Sequence, residues 1–191
     1  MKTIKLIIAI LVISVFSQNV YSQTIKQVRG VPQNETKAER KAREKRLKTM
    51  ADSVAFIEAS NALDSAYFVI TADRMTMGNS GRMFSSPNSS TNFILLQGDE
   101  ATVQIAFDNG APGLNGLGGI TVEGAVSGLK RSQTKKGDLC YDFSVQGVAI
   151  SAQISIVVYK GGNSAMAIVS PNFHSQKLTV YGPLIPYKMN E

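Results

Sequence analysis

V-A-I-S-A-Q-I-S-I-V-V-Y runs from Val148 to Tyr159. Val148, Ile150, Ala152, Ile154, Ile156 and Val158 share one parity; Ser151, Gln153 and Ser155 share the other. Successive side chains of an extended chain point to opposite faces, so this stretch predicts a strand with one apolar and one largely polar face. At about 3.3 Å per residue it would span roughly 40 Å, twice a usual strand, so a bent or bulged central strand is expected.

The flanks supply its partners. Leu139, Tyr141, Phe143 and Val145 alternate inward before it, across Gln146-Gly147, and Ser164 to Val169 follow across the turn Gly161-Gly162-Asn163. Further out, Tyr67 to Arg74 reads as the first strand and Gly78 to Thr91 as a loop. Asn92 to Gln97 is apolar on both faces and should be buried, and Gly98-Asp99 is a hairpin signal. Glu100 to Phe107, Ile120 to Leu129 and Gln176 to Tyr181 complete the strands, and Pro183 and Pro186 should finish the sheet, since proline lacks the amide donor. Seven or eight short strands at close spacing predict a mainly β (α+β) fold over residues 64–187, an antiparallel sandwich or open barrel with one long N-terminal helix.

That helix is expected from Thr36 to Leu63. Thr36 and Glu39 form a capping-box signature, and no Pro or Gly interrupts the residues that follow. Leu47, Met50, Ala51, Val54 and Ile57 fall at helical spacing, so the C-terminal half should dock on the sheet while the N-terminal half projects into solvent. Pairs Glu39–Arg43 and Glu44–Lys48 have the favourable i,i+4 orientation.

The formal net charge of +6 is unevenly spread. Residues 23–48 hold nine Lys or Arg against three Glu, whereas residues 49–191 hold nine against eleven Asp or Glu. Lys37, Arg40, Lys41, Arg43, Lys45, Arg46 and Lys48 form a basic segment suited to an anionic surface. No aromatic residue interleaves with them to stack on bases, which argues against nucleic acid. Before them, residues 23–35 read as a flexible linker with Gly30 and Pro32. Residues 1–22 read as a signal peptide. Lys2 and Lys5 precede the apolar run Leu6 to Phe16, and cleavage is expected between Ser22 and Gln23. An eleven-residue run, broken only by Ser14, is short for a membrane span, so a periplasmic or secreted protein without a transmembrane segment is expected.

The search for chemistry is brief. Cys140 is the only cysteine, so an intramolecular disulfide is excluded. His174 is the only histidine, in a loop before the last strand, which excludes a histidine-rich metal site. Asp108 to Gly119 is glycine-rich, but it lacks a phosphate-loop lysine and precedes a strand rather than a helix. Asp99, Glu100, Asp108, Glu123, Asp138 and Asp142 are scattered over turns and outward positions, so no carboxylate pair stands out for glycoside cleavage. Asp73-Arg74 is the most suggestive polar pair, with a structural ion pair as its plain reading. No catalytic, cofactor or metal residues are predicted.

Several stretches carry a likeness to a known family. They are K-A-E-R-K-A-R-E in the helix, F-V-I-T-A-D-R from Phe68 to Arg74, and N-F-I-L-L-Q-G-D-E-A-T-V-Q from Asn92 to Gln104. Gly118-Gly119-Ile120, Gly162-Asn163-Ser164-Ala165, V-S-P-N from Val169 to Asn172, and Leu178 to Gly182 add to them. With these the chain resembles exported Bacteroides-group proteins of domain of unknown function 4251. It departs from many relatives after Asn172, where Phe173 stands in place of an arginine. The resemblance implies a bacterial envelope address and a mostly β domain, and it implies no activity. It also marks Ser53 and Ser65, each after an aspartate, as resembling the O-glycosylation signal of that group. The functional expectation is a non-catalytic exported module that binds an acidic envelope polymer or a protein partner. The alternative is a carrier of a small apolar ligand in a β cavity, with Met75, Met77 and Met83 at its mouth.

Overall fold

The computed structural model describes residues 35–78, 82–85, 88–106, 119–172 and 177–187, with the backbone alone at 82–85. The leader, the linker up to residue 34, the glycine-rich loop up to residue 118, Phe107, Phe173 and His174 lie outside the described residues. Two compact units divide between Arg46 and Leu47.

The first unit contains the start of helix α1, which runs from Lys37 to Ser65. The capping box forms as expected. Thr36 N–H donates to Glu39 Oε2 at 2.8 Å, and Glu39 N–H donates to Thr36 Oγ1 at 3.3 Å. The Thr36 N–H bond first, and then a bond from the Thr36 hydroxyl to Oε2 at 2.8 Å, hold the Glu39 carboxyl below the usual carboxylate range. Because Glu39 is engaged in the cap, the expected Glu39–Arg43 pair does not form. Arg43 instead grips Glu35 with two bonds of 2.9 and 3.2 Å, and Arg40 meets Glu44 at 2.9 Å in place of the expected Glu44–Lys48 pair.

Among the described residues, the second unit holds the rest of α1 and ten strands. These are β1 (Tyr67–Thr71), β2 (Arg74–Met77), β3 (Arg82–Ser85), β4 (Phe93–Gln97), β5 (Glu100–Ala106), β6 (Gly119–Gln133), β7 (Leu139–Gly147), β8 (Ser151–Val158), β9 (Ser164–Pro171) and β10 (Leu178–Pro186). All pair antiparallel in the order β1-β4-β5-β6-β7-β8-β9-β10, and β10 returns to β1, so eight strands close into a barrel. β2 continues the line of β1 along β10, and β3 pairs with β2.

The predicted alternation holds along β5, β7 and β8, whereas β4, expected to be buried on both faces, alternates too, with Phe93 and Leu95 only partly buried. Phe68, Ile94, Val103, Val122, Phe143, Ile154, Val169 and Val180 are among the buried inward residues, with outward positions intermediate or exposed. Phe68, Tyr141 and Phe143 meet edge to face, with centroids 5.8 and 6.0 Å apart. A barrel of eight strands is just wide enough for such side chains to fill. Met75 belongs to this core and Met77 packs against it, so neither stands at an open mouth. Among the described residues no helix is long and apolar enough to cross a membrane.

Further expectations need correction. The strand predicted from Val148 to Tyr159 is β8, eight residues long, because the hairpin from β7 consumes its first part. Gly147 N–H donates to Ile150 O, and Val148 lies fully exposed in the turn. The stretch from Gly78 to Thr91 contains β3 rather than loop alone. The strand predicted from Tyr67 to Arg74 breaks at Ala72-Asp73 into β1 and β2.

That break also explains the prolines. Tyr181 pairs with Arg74 of β2, while Leu184 pairs with Ile70 of β1, so Gly182 and Pro183 lie where β10 changes partner. Leu184 N–H donates to Asn163 O on the β9 side, so alternation turns the donorless Pro183 nitrogen toward the gap, and β10 runs on to Pro186. Gly182 is needed there because a Cβ would collide with the Thr71 carbonyl. Asn92 steadies the same bend: its backbone carbonyl accepts from Ala72 N–H at 2.9 Å, and its buried side chain accepts from Ala106 N–H at 2.8 Å.

The last correction concerns α1. The predicted docking stripe faces solvent, with Leu47, Met50, Val54 and Ile57 at 53%, 66%, 55% and 57% exposure. The helix instead buries Ala59, Ala62 and Leu63 in the barrel core, with Phe56 packed against it. Small alanines let the helix approach closely, and Leu63 fills the core four residues before β1 begins.

β6 outruns its neighbour. β5 pairs with it only up to Ala125, and the remainder, from Val126 to Gln133, pairs on one side with β7. A register shift between Ser127 and Lys130, with Gly128 at φ 65°, bends this overhang. Arg131 reaches from it to α1, where it pairs with Asp64 and donates to Ser60 Oγ at 2.8 Å.

Candidate functional site

The seven predicted cations lie on α1. At about 100° per residue, Lys37, Lys41, Lys45 and Lys48 fall within an arc of about 80°, while Arg40, Arg43 and Arg46 lie outside it. All are exposed except Arg43, which is half-buried against Glu35. Arg40 pairs with Glu44 and Arg43 with Glu35, and the four lysines share one face of the helix while Arg46 lies off it.

A second feature is built on the barrel's outer wall, beside the bend between β1 and β2. Arg74, Tyr181, Met166 and Val157 stand opposite one another across β2, β10, β9 and β8. Pro183 and Ser164 form the next row, and Tyr159 N–H donates to Ser164 O at 3.0 Å, which holds Tyr159 beside it. Between the rows lies an open depression of about 420 Å³, lined by Asp73, Arg74, Tyr159, Ser164, Tyr181 and Pro183 with Ala165 and Gly182.

Its polar chemistry is specific. The Arg74 guanidinium lies over the Tyr181 ring, 4.2 Å from the centroid. A guanidinium held over a ring in this way can still offer its edge N–H donors, in the fork that matches a carboxylate or phosphate. The expected Asp73–Arg74 ion pair is absent among the described residues. The Asp73 N–H donates to Tyr181 O at 2.8 Å, which fixes its backbone. Tyr159 Oη donates to Met166 Sδ at 3.6 Å, which tethers the second ring. Two phenol rings, a guanidinium and a carboxylate thus converge on one concave patch, where they can stack on a flat apolar face and bond acidic and hydroxyl groups.

Asp73 and Arg74 stood out in the sequence, but Tyr159, Tyr181 and Pro183 did not. Their signal was outward parity of aromatic residues on strands, and only the pairing of β2 with β10 brings them to Arg74. Asp108 lies outside the described residues, and the other scattered carboxylates lie on turns and outward strand positions. Asp138 accepts from Thr134 Oγ1 and from Lys160 N–H, a turn-fixing role, while Glu123 and Asp142 face outward on β6 and β7. Among the described residues no three His, Cys, Asp or Glu side chains gather to hold a metal. A further depression, of about 540 Å³, lies between α1 and the ends of β1 and β10, lined by Glu58, Asn61, Ser65, Tyr67, Ile185 and Tyr187 among others.

Residues 51–184 match the family described as Domain of unknown function (DUF4251). The chain is also similar to a solved structure, the crystal structure of a DUF4251 family protein from Bacteroides eggerthii DSM 20697. The two share 40% sequence identity and a TM-score of 0.64, over 72% of this chain and 91% of that one. No curated protein matches. The family match extends from the middle of α1 through nearly all of β10, and the chain belongs to the DUF4251 family.

Proposed function

We propose that this protein is an exported, non-catalytic binding module that holds an acidic envelope polysaccharide on the outer wall of its barrel. The observation that carries this reading is the Arg74 guanidinium stacked on Tyr181 within the depression. Its donor edge suits a carboxylate on the polymer, the Asp73 carboxylate accepts from a hydroxyl, and the rings of Tyr181 and Tyr159 receive the flat faces of sugar units. Export rests on the basic and apolar leader at residues 1–22. The absence of catalysis rests on chemistry: among the described residues the depression is lined by one carboxylate, Asp73, whereas glycoside cleavage uses two. Carriage of an apolar ligand has less support, since the inward positions are occupied by side chains packed against one another.

Polygalacturonate, with dextran as a neutral control, tests the reading by isothermal titration. Arg74→Gln and Tyr181→Ala should each weaken polygalacturonate binding at least tenfold. The triple variant Lys37→Gln, Lys41→Gln, Lys48→Gln should retain it. Loss of binding in the triple variant with full binding in Arg74→Gln would move the site to α1 and overturn the proposal.

A further inference from the structure

The exposed residues of α1 have a spacing of their own. Leu47, Met50, Val54 and Ile57 follow one another by three, four and three residues, the a/d register of a two-stranded coiled coil. Each keeps more than half of its surface exposed. The docked residues Phe56, Ala59 and Leu63 lie on the other side of the helix, so the barrel leaves the a/d seam open. Four apolar knobs in a strict seam, on the face of the helix that the barrel does not cover, fit a second helix better than a flat surface.

We infer that α1 pairs with α1 of a second copy, antiparallel, through Leu47, Met50, Val54 and Ile57. Charge selects both the partner and the direction. The N-terminal end of the seam is flanked by Arg43 and Arg46, and the C-terminal end by Glu58 and Asp64. Parallel pairing would extend the seam with Arg43 on Arg43 and Arg40 on Arg40. Antiparallel pairing sets Leu47 against Ile57 and Met50 against Val54, and then places Arg43 by Asn61 and Arg40 by Asp64 of the other copy. Basic end thus meets acidic end twice in the symmetric pair, as a two-fold interface requires. A seam of four layers is short, so the dimer is weak and depends on concentration.

Sedimentation velocity on the full-length protein, from 1 to 200 µM (roughly the range over which weak interfaces associate), tests the pairing. The mass should rise toward twice the monomer, and Val54→Glu should raise the dissociation constant at least tenfold without changing the melting temperature at low concentration. Direction is read by oxidation in a Cys140→Ser background. An equimolar mixture of Met50→Cys and Val54→Cys chains should form the mixed disulfide in excess over either homodimer. A monomer at every concentration overturns the inference, as does a dimer unaffected by Val54→Glu. Predominance of the Met50→Cys homodimer overturns the antiparallel arrangement, and binding of either protein to anionic vesicles through the seam, without self-association, assigns the stripe to a membrane surface instead.

Discussion

Two sets of apolar residues with regular spacing face opposite environments in this protein. Along β7 and β8 the residues of one parity are buried and fill the barrel. Along α1 the residues Leu47 to Ile57 recur with a helical period and are exposed, while the alanines between Phe56 and Leu63 do the docking. Periodicity reveals that a face exists. It does not reveal which body covers that face. In a closed barrel the answer is forced, since one parity has nowhere to point but inward. On a helix that only touches the barrel near its end, small residues decide the approach and large ones are left over.

The largest expected contrast comes from truncating one residue of each set. Phe143→Ala should cost about 3–5 kcal/mol, because it opens a cavity beside Tyr141. Ile57→Ala, measured at low concentration, should change stability by less than about 0.5 kcal/mol. Equal losses in urea denaturation would mean that the helix stripe is covered within the monomer. Next in size is Asn92→Ala, which leaves the Ala106 N–H without its acceptor at the bend and should cost about 1–3 kcal/mol. Arg131→Ala tests the side-chain tie between the β6 overhang and α1. Both partners are partly exposed, so screening limits the expected loss to about 0.2–1 kcal/mol.

The smallest effect is nil at neutral pH. Burial pushes the Tyr141 phenol above its ordinary value, and nearby Arg131 partly offsets this. The folded chain therefore keeps that proton to higher pH than the unfolded chain does. The resulting stability is complete below about pH 10 and falls as pH rises through the folded value. Tyr141→Phe should flatten this alkaline decline in denaturation curves collected from pH 9 to 11, and an unchanged slope would contradict the burial of the hydroxyl.

Much of the barrel was legible because its strands alternate and its turns carry glycine. Leu139 to Val145, the Gly98-Asp99 hairpin and the capping box at Thr36 all follow from neighbours in the chain. What could not be read depended on distant partners. The break at Ala72-Asp73 exists because β10 must change partner opposite Gly182. The passage of β10 through Pro183 follows from that same gap, which demands no donor. Val148 was assigned to the strand because its parity fits, yet the β7–β8 turn needed those residues. The depression at Arg74 shows the same limit: Asp73-Arg74 was visible as a pair, but Tyr159 and Tyr181 become its neighbours only through registers set by four strands.

The β6 overhang has a further consequence, for solubility. Barrel closure removes most free hydrogen-bonding edges, but among the described residues no strand pairs with one side of β6 beyond Val126, whose N–H donates to Asp99 O. Three devices discourage templating of a foreign strand there. The bulge between Ser127 and Lys130 spoils the flat register that strand addition requires, Lys130 and Arg131 place charge on the edge, and the Arg131 contacts with Asp64 and Ser60 draw α1 toward it. The overhang thus acts as a gatekeeper against edge-to-edge aggregation in a chain otherwise rich in β-forming sequence.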